Sequence, residues 1–240
     1  MQTINLSILQ VEKQHKLLDL GCGEGRHCHA AYYHAACQVI GLDLSFDDII
    51  TTRKGFQDHP VTEPTPHQHF ALGVANAQNI PLANASLDRI ICSEVLEHIP
   101  DYFRVIDEIT RILKPDGRVA ISVPRQAPET ICWWLSEDYH NEPGGHIRIF
   151  NAQKLIEDFE ARGFHCVKKQ YAHGLHTPYW WLRCAFGVKK EHNFITRLWH
   201  KLLVLEMMKD PIWLRGISKL ADWLMGKSVV LYFERANHDS

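Results

Sequence analysis

No two of the seven cysteines form a Cys-x-x-Cys pair, and an odd number cannot pair completely. That argues against a disulfide framework. Thiols inside apolar runs such as Ile90-Ile91-Cys92 read as reduced and buried, as in a cytosolic protein. No run of about eighteen apolar residues occurs, so no spanning helix is expected. Met1 to Gln14 lacks a basic start followed by an apolar stretch, which argues against a secretory signal. A soluble, cytoplasmic protein is the expectation. Charge of one sign is also missing: 26 Lys and Arg stand against 28 Asp and Glu, a net charge of −2. With no long basic run and no RNA-binding module, nucleic acid is disfavoured as a partner. Internal repeats and low-complexity segments are absent, and tryptophan does not occur before Trp133.

What is present is ordinary globular composition, 45% hydrophobic and 22% charged, over 240 residues. One α/β domain with an elaboration fits that length. Lys16-Leu17-Leu18-Asp19 reads as a short strand running into a glycine loop, and residues 25–36 as the helix after it. Residues 37–43 form a second strand ending in an acid, and Ser45 is placed to cap the next helix. Residues 57–67, with three prolines, read as loop. Strands are expected at 69–74, 87–93 and 118–123, with a helix at about 101–113 between the last two; Lys114-Pro115-Asp116-Gly117 should end that helix as a turn. Asn151 caps a helix that stops at Gly163 and feeds a strand at 164–171. Strands and helices alternating at these lengths predict a parallel sheet covered on both faces. Residues 172–227 then break the pattern before a last strand near 228–235.

The loop Asp19-Leu20-Gly21-Cys22-Gly23-Glu24-Gly25 lets backbone approach a ligand and aims helix N–H groups at it. A nicotinamide dinucleotide site would read G-x-G-x-x-G, whereas here the spacing is G-x-G-x-G and Arg26 takes the third glycine's place. Asp43, at the end of the second strand, is positioned to accept both hydroxyls of a ribose.

Residues 17–25 followed by Gly41-Leu42-Asp43-Leu44-Ser45 resemble the first two motifs of class I S-adenosylmethionine-dependent methyltransferases, the type 11 group in particular. Residues 75–82 resemble that family's adenine segment, residues 87–99 its fourth strand and following loop, and residues 113–118 the lead into its fifth strand. The resemblance covers about residues 17–171. It implies a doubly wound, mostly parallel seven-stranded sheet, the Rossmann-like methyltransferase fold, with an antiparallel final strand. The implied cofactor is S-adenosyl-L-methionine, held by Asp19, Gly21, Cys22, Gly23, Gly25, Asp43, Leu44, Asn76, Ala77 and Ser93. The family's adenine segment begins with Asp; Asn76 still offers a carbonyl acceptor. A non-catalytic S-adenosylmethionine-binding protein is an alternative, which the intact loop disfavours.

Glu94-Val95-Leu96-Glu97-His98 follows the fourth strand at the sheet edge where α/β proteins bind ligands. As a helical turn it would put Glu94 on the side of Glu97 and His98, and His146 in Gly144-Gly145-His146 could join them. Glu94, His98 and His146 are the expected catalytic residues, with His98 as the candidate general base. The string resembles that of metal-assisted O-methyltransferases acting on ubiquinone precursors or RNA 3′ ends, and it also resembles metal-free relatives in which it only orders the loop. A metal-free site is expected; Glu94, Glu97, His98 and His146 are the ligand set should a divalent ion bind. His27, His29 and Cys22 are assigned to packing or surface.

Five of the seven tryptophans (Trp180, Trp181, Trp199, Trp213, Trp223) lie in residues 172–227, where Lys and Arg outnumber Asp and Glu nine to four. Three readings stand: a lid over the site, a peripheral membrane contact, or the insertion's own small core. The lid is the expected one, because the insertion joins the last two strands. The whole chain is then one domain, with a core of 15–171 plus 228–235. Trp133-Trp134 are expected to wall the acceptor pocket. The Asn-Pro-Pro-Tyr-type sequence of exocyclic-nitrogen methyltransferases is absent after strand four. An oxygen or carbon of a small, apolar, lipid- or quinone-like metabolite is the expected acceptor, with a nucleic-acid O-methyltransferase as the alternative.

Overall fold

The computed structural model describes residues 2–142, 144–187, 193–209 and 211–236. Positions 188–192 and 210 of the insertion lie outside them. Seven strands form one sheet: β1 (Lys16–Leu20), β2 (Gln38–Asp43), β3 (Phe70–Val74), β4 (Leu87–Ser93), β5 (Leu113–Pro124), β6 (Phe164–Ala172) and β7 (Ser228–Arg235). Their order is β3-β2-β1-β4-β5-β7-β6, and β7 alone runs antiparallel to both its neighbours. This is the doubly wound, mostly parallel architecture the sequence predicts. Leu17, Leu18 and Leu20 in β1 are buried because a central parallel strand is covered on both faces. β6, on the edge, keeps Lys168 and Lys169 exposed, a charge pattern that discourages pairing with another chain.

Helices α1 (Arg26–Ala35), α2 (Phe46–Asp58), α3 (Tyr102–Ile112), α4 (Gln126–Leu135), α5 (Glu137–His140) and α6 (Ala152–Glu160) cover the faces, with a 3₁₀ turn at Leu96–His98. Ser45 caps α2 by accepting the Asp48 N–H, and Asn151 caps α6 through Gln153 and Lys154. The largest cluster of buried residues packs Leu18, Ile90, Ile106, Ile109, Phe159 and Phe233. A second holds Ile4, Leu9, Leu17, Val39, Phe56 and Ile91.

Three differences from the sequence reading have physical causes. Lys114–Gly117 is not a turn before the strand. It bulges within β5, because Leu113 already pairs with Leu87 and the register resumes at Arg118 opposite Arg89. Residues 126–135 and 137–140, for which the sequence predicts no element, are helical, and Trp133 and Trp134 lie on α4. Core packing also begins before residue 15: Ile4, Leu6, Leu9 and Val11 are buried, and the Asn5 N–H donates to the Tyr232 hydroxyl at 2.8 Å.

The insertion contains α7 (His176–Phe186), α8 (Phe194–Lys209) and α9 (Ile212–Met225). Leu175, Leu203, Leu214 and Ala221 make its small core, against Tyr179 and Trp199. Gly174 lies so close to α9 that a Cβ there would come within 2.1 Å of the Ala221 carbonyl carbon. That contact, with Gly174 N–H donating to Asp222 Oδ1 at 2.6 Å, mounts α9 on the end of β6.

Candidate active site

The strand order reverses between β1 and β4, so the chains leaving their carboxyl ends diverge and open a crevice. The glycine loop occupies one wall. Gly21, Gly23 and Gly25 all have positive φ, at 71°, 51° and 85°. Gly21 N–H and Cys22 N–H both donate to the Leu42 carbonyl, which ties the loop to the end of β2. A Cβ on Gly21 would lie 2.3 Å from Val95 Cγ2, whereas nothing lies within 4 Å of one on Gly23. Space for a ligand therefore opens over Gly23. Gly25 is the left-handed residue that starts α1. Cys22 contributes backbone only, since its buried thiol packs beneath the loop near Gly41.

Asp19 ends up under this loop with both carboxylate oxygens buried; Cys28 of α1 lies beside them, but no hydrogen bond of good geometry reaches either oxygen. Burial pushes its pKa up to about 6. An orphaned carboxylate below an open glycine loop suits a cationic ligand. Asp43 Oδ2 accepts from Gly23 N–H and Oδ1 from Ser45 N–H, each at 2.8 Å. Each oxygen retains a lone pair for a hydroxyl. Leu44 next to it is 74% exposed, an apolar surface open to a flat ring. Asn76 Oδ1 accepts from Gln78 N–H at 2.9 Å, so the side chain is already fixed in an Asx turn beside Ala77.

At the end of β4 the expected arrangement is only partly present. Glu94 does not begin a helical turn; its φ is +57°, an uncommon conformation for a residue with a side chain. Two bonds hold it there. Its N–H donates to the Ser122 carbonyl at 2.9 Å, and its Oε1 accepts from Ser122 Oγ at 2.8 Å. Because the Ser122 hydroxyl spends its proton on Glu94, Ser93 Oγ must be the donor in the 2.8 Å Ser93–Ser122 contact. Ser93 therefore orients Glu94 through Ser122.

Glu94 lines a cavity of about 260 Å³ together with Thr3, Arg26, His173, His176, Trp180, Met207, Lys227 and Ser228. Thr3 Oγ1 and His173 Nε2 share a hydrogen bond of 2.8 Å. Burial lowers the His173 pKa to about 3 and that of His176 to about 4, so both imidazoles are neutral near pH 7. His176 Nε2 is buried without a partner. The Lys227 ammonium sits 4.4 Å above the Trp180 ring. Sequence reasoning missed Thr3, His173, His176, Met207 and Ser228 as cavity residues. Trp180 and Lys227 fell within the aromatic, basic window, the one signal that pointed at this wall.

Glu97, His98 and His146 form a separate group from Glu94, their ligand atoms within 4.8 Å of one another. His98 and His146 line a second cavity, also about 260 Å³, with His140, Asn141 and Glu142. Glu97 is fully buried and both its oxygens lack hydrogen bonds. Burial, with the Glu94 and Glu129 carboxylates nearby, pushes its carboxyl well above the usual range. His146 Nδ1–H donates to Glu129 Oε1 at 2.6 Å and His98 Nδ1–H to the Gly145 carbonyl at 3.1 Å. Nδ1 is thereby engaged in both rings, and His146 Nε2 stands 4.0 Å from Glu97 Oε1. The four-residue set expected from sequence thus divides, three residues together and Glu94 in the other cavity.

Neither Trp133 nor Trp134 lines the first cavity: Trp133 stacks on His140 at 3.9 Å and Trp134 is 82% exposed. His29 bonds the Thr52 carbonyl at 2.9 Å and His27 is buried, packing roles for both.

Residues 5–169 match the model of a methyltransferase domain. Methyltransferase GfsG of Streptomyces halstedii is 31% identical over 114 residues, 48% of this chain and 39% of that protein. The ubiquinone biosynthesis O-methyltransferase of Actinobacillus pleuropneumoniae is 33% identical over 106 residues, 42% of each. The chain thus spans about half the length, or less, of these curated relatives. The S-adenosylmethionine-dependent methyltransferase of Mesorhizobium loti, a solved structure, superimposes with a TM-score of 0.59 at 16% identity, covering 95% of this chain and 94% of that one. At that identity the likeness is one of fold.

Proposed function

We propose that this chain, which belongs to the methyltransferase domain family, transfers the methyl group of S-adenosylmethionine to an oxygen or carbon of a small acceptor. The observation that carries the reading is a pair of features at the carboxyl edge of the sheet. The orphaned Asp19 carboxylate lies under the open glycine loop. Glu94 lines a cavity walled by the insertion. When bound, S-adenosylmethionine supplies an electrophilic methyl whose bonding pair returns to sulfur on transfer. To hold it, Asp19 would balance positive charge from below, Asp43 would accept the ribose hydroxyls, and Leu44 and Ala77 would contact the adenine. Glu94, with one oxygen fixed by Ser122, takes the acceptor's proton as the new bond to oxygen or carbon forms. His176, neutral and unpartnered at Nε2, hydrogen-bonds the acceptor. The lining mixes Trp180 and Met207 with polar groups, which favours an acceptor with an apolar body and a polar reacting end over a purely apolar one.

The test is turnover of methyl-labelled S-adenosylmethionine with a panel of phenols, quinols and enolisable ketones. Glu94→Gln should lower turnover by about 10²–10⁴-fold with cofactor affinity unchanged. No heat of binding with S-adenosylmethionine would sink the whole reading; full turnover in the variant would remove Glu94 as the base.

A second reading is supported by Glu97, whose buried oxygens lack hydrogen bonds and whose ligand atom lies within 4.8 Å of those offered by His98 and His146. Glu97, His98 and His146 would hold a divalent ion, with Glu129 and the Gly145 carbonyl fixing the two rings from behind. Such an ion would acidify a hydroxyl brought to it. On this reading chelator abolishes turnover and added Mn²⁺ or Mg²⁺ restores it; full turnover in chelator refutes it and leaves His98 to be tested as a base.

A further inference from the structure

We propose that the outward face of α9 seats the protein on an anionic lipid bilayer. At 100° per residue, Ile212, Trp223, Gly216, Leu220, Trp213, Leu224 and Ile217 fall within an arc of roughly 140°. Every one is exposed, Ile212 at 84%, Trp223 at 67% and Trp213 at 59%. The helix buries a different face, that of Leu214 and Ala221, in the insertion's core. It therefore has two apolar sides, and only one is used internally.

The exposed side is not awaiting closure onto the body. α9 is held by the close approach of Gly174, by Thr177 Oγ1 donating to the Met225 carbonyl at 2.6 Å, and by Ser218 Oγ donating to Glu206 Oε1 at 2.6 Å. A contiguous apolar surface fixed outward marks an interaction site.

Charge and residue type select the occupant. Neither acid of α8 and α9 belongs to the exposed arc: Glu206 Oε1 accepts from Ser218 and Asp222 Oδ1 from Gly174 N–H. Lys219 flanks the apolar arc, and Arg197, Lys201 and Lys209 lie exposed on α8 in the same insertion. Two copies meeting on this face would set the basic insertion of one against that of the other, where Lys and Arg outnumber Asp and Glu nine to four. An anionic bilayer answers that charge, and indole rings settle at the boundary between headgroup and acyl chain. Among the described residues no helix is long and apolar enough to cross a membrane, so the contact is peripheral. It rests on no step of methyl transfer.

The test uses the full chain and vesicles of phosphatidylcholine, with and without phosphatidylglycerol. Flotation with the anionic vesicles at low salt, its loss at high salt, and quenching of tryptophan emission by brominated lipid are expected. Ile217→Glu/Leu220→Glu should abolish flotation while leaving S-adenosylmethionine affinity intact. Lys201→Gln/Lys219→Gln should weaken it by about 30-fold. If the glutamate variant fails to fold, the lysine variant and the quenching decide. No flotation of wild type, or flotation unaffected by either pair, overturns the proposal. So does a wild-type dimer that the glutamate variant dissociates, which would assign the face to a second copy.

Discussion

Replacing Asp19 with asparagine is expected to stabilise the ligand-free protein and to weaken its hold on S-adenosylmethionine. The carboxylate is buried with no hydrogen bond of good geometry, and burial raises its pKa from 3.8 to about 6. Between those two values the folded state binds more protons than the unfolded one. The charge therefore costs nothing below the unfolded value. Its cost grows as pH rises from about 4 to 6 and is constant above. Two pKa units at 1.36 kcal/mol each make it about 3 kcal/mol. Asparagine keeps the shape without the charge, so urea unfolding should show Asp19→Asn more stable by up to about 3 kcal/mol well above pH 6, the gap closing below about pH 4. A gap that does not depend on pH, or none at high pH, would refute the burial reasoning. The same charge is what a cationic cofactor meets. Calorimetry should show affinity lower by about 10- to 150-fold in the variant, the 1.5–3 kcal/mol of a hydrogen bond to a charged group. Near pH 6, binding to wild type should release a proton, visible as a heat that changes with the buffer's ionisation enthalpy; the variant should release none. Unchanged affinity would remove Asp19 from the site.

Asp43→Ala should also cost cofactor affinity by roughly 1.5–3 kcal/mol, and it should loosen the loop by freeing Gly23 N–H; an unchanged calorimetric affinity in a folded variant would place the ribose elsewhere. The two glycines should separate stability from binding. Gly21→Ala meets Val95 Cγ2 at 2.3 Å in a left-handed conformation and should destabilise by about 2–4 kcal/mol in urea. Gly23→Ala meets no protein atom, so it should cost only about 1–2 kcal/mol of stability yet sharply weaken S-adenosylmethionine binding; intact binding would mean that the space over Gly23 is not the cofactor's.

Sequence by itself determined the order and type of most of the elements and the place of the glycine loop. Those depend on local rules: apolar runs of strand length, a glycine spacing that allows positive φ, an acid ending each of two strands, and Ser45 and Asn151 at helix starts. Such signals lie within a few residues of what they specify, so no packing is needed to read them. Tertiary structure decided what depends on residues distant in the chain. Helical periodicity set Glu94 beside Glu97 and His98, but the Ser122 carbonyl and hydroxyl, delivered by β5, turn it left-handed into the other cavity. Thr3 reaches that cavity because Ile4 and Leu9 are drawn into the core, a placement settled by burial some 170 residues from His173. The tryptophans look alike in sequence. Trp180 enters a cavity while Trp213 and Trp223 face outward, because a helix's direction is set by what it packs against, here Gly174 beneath Ala221.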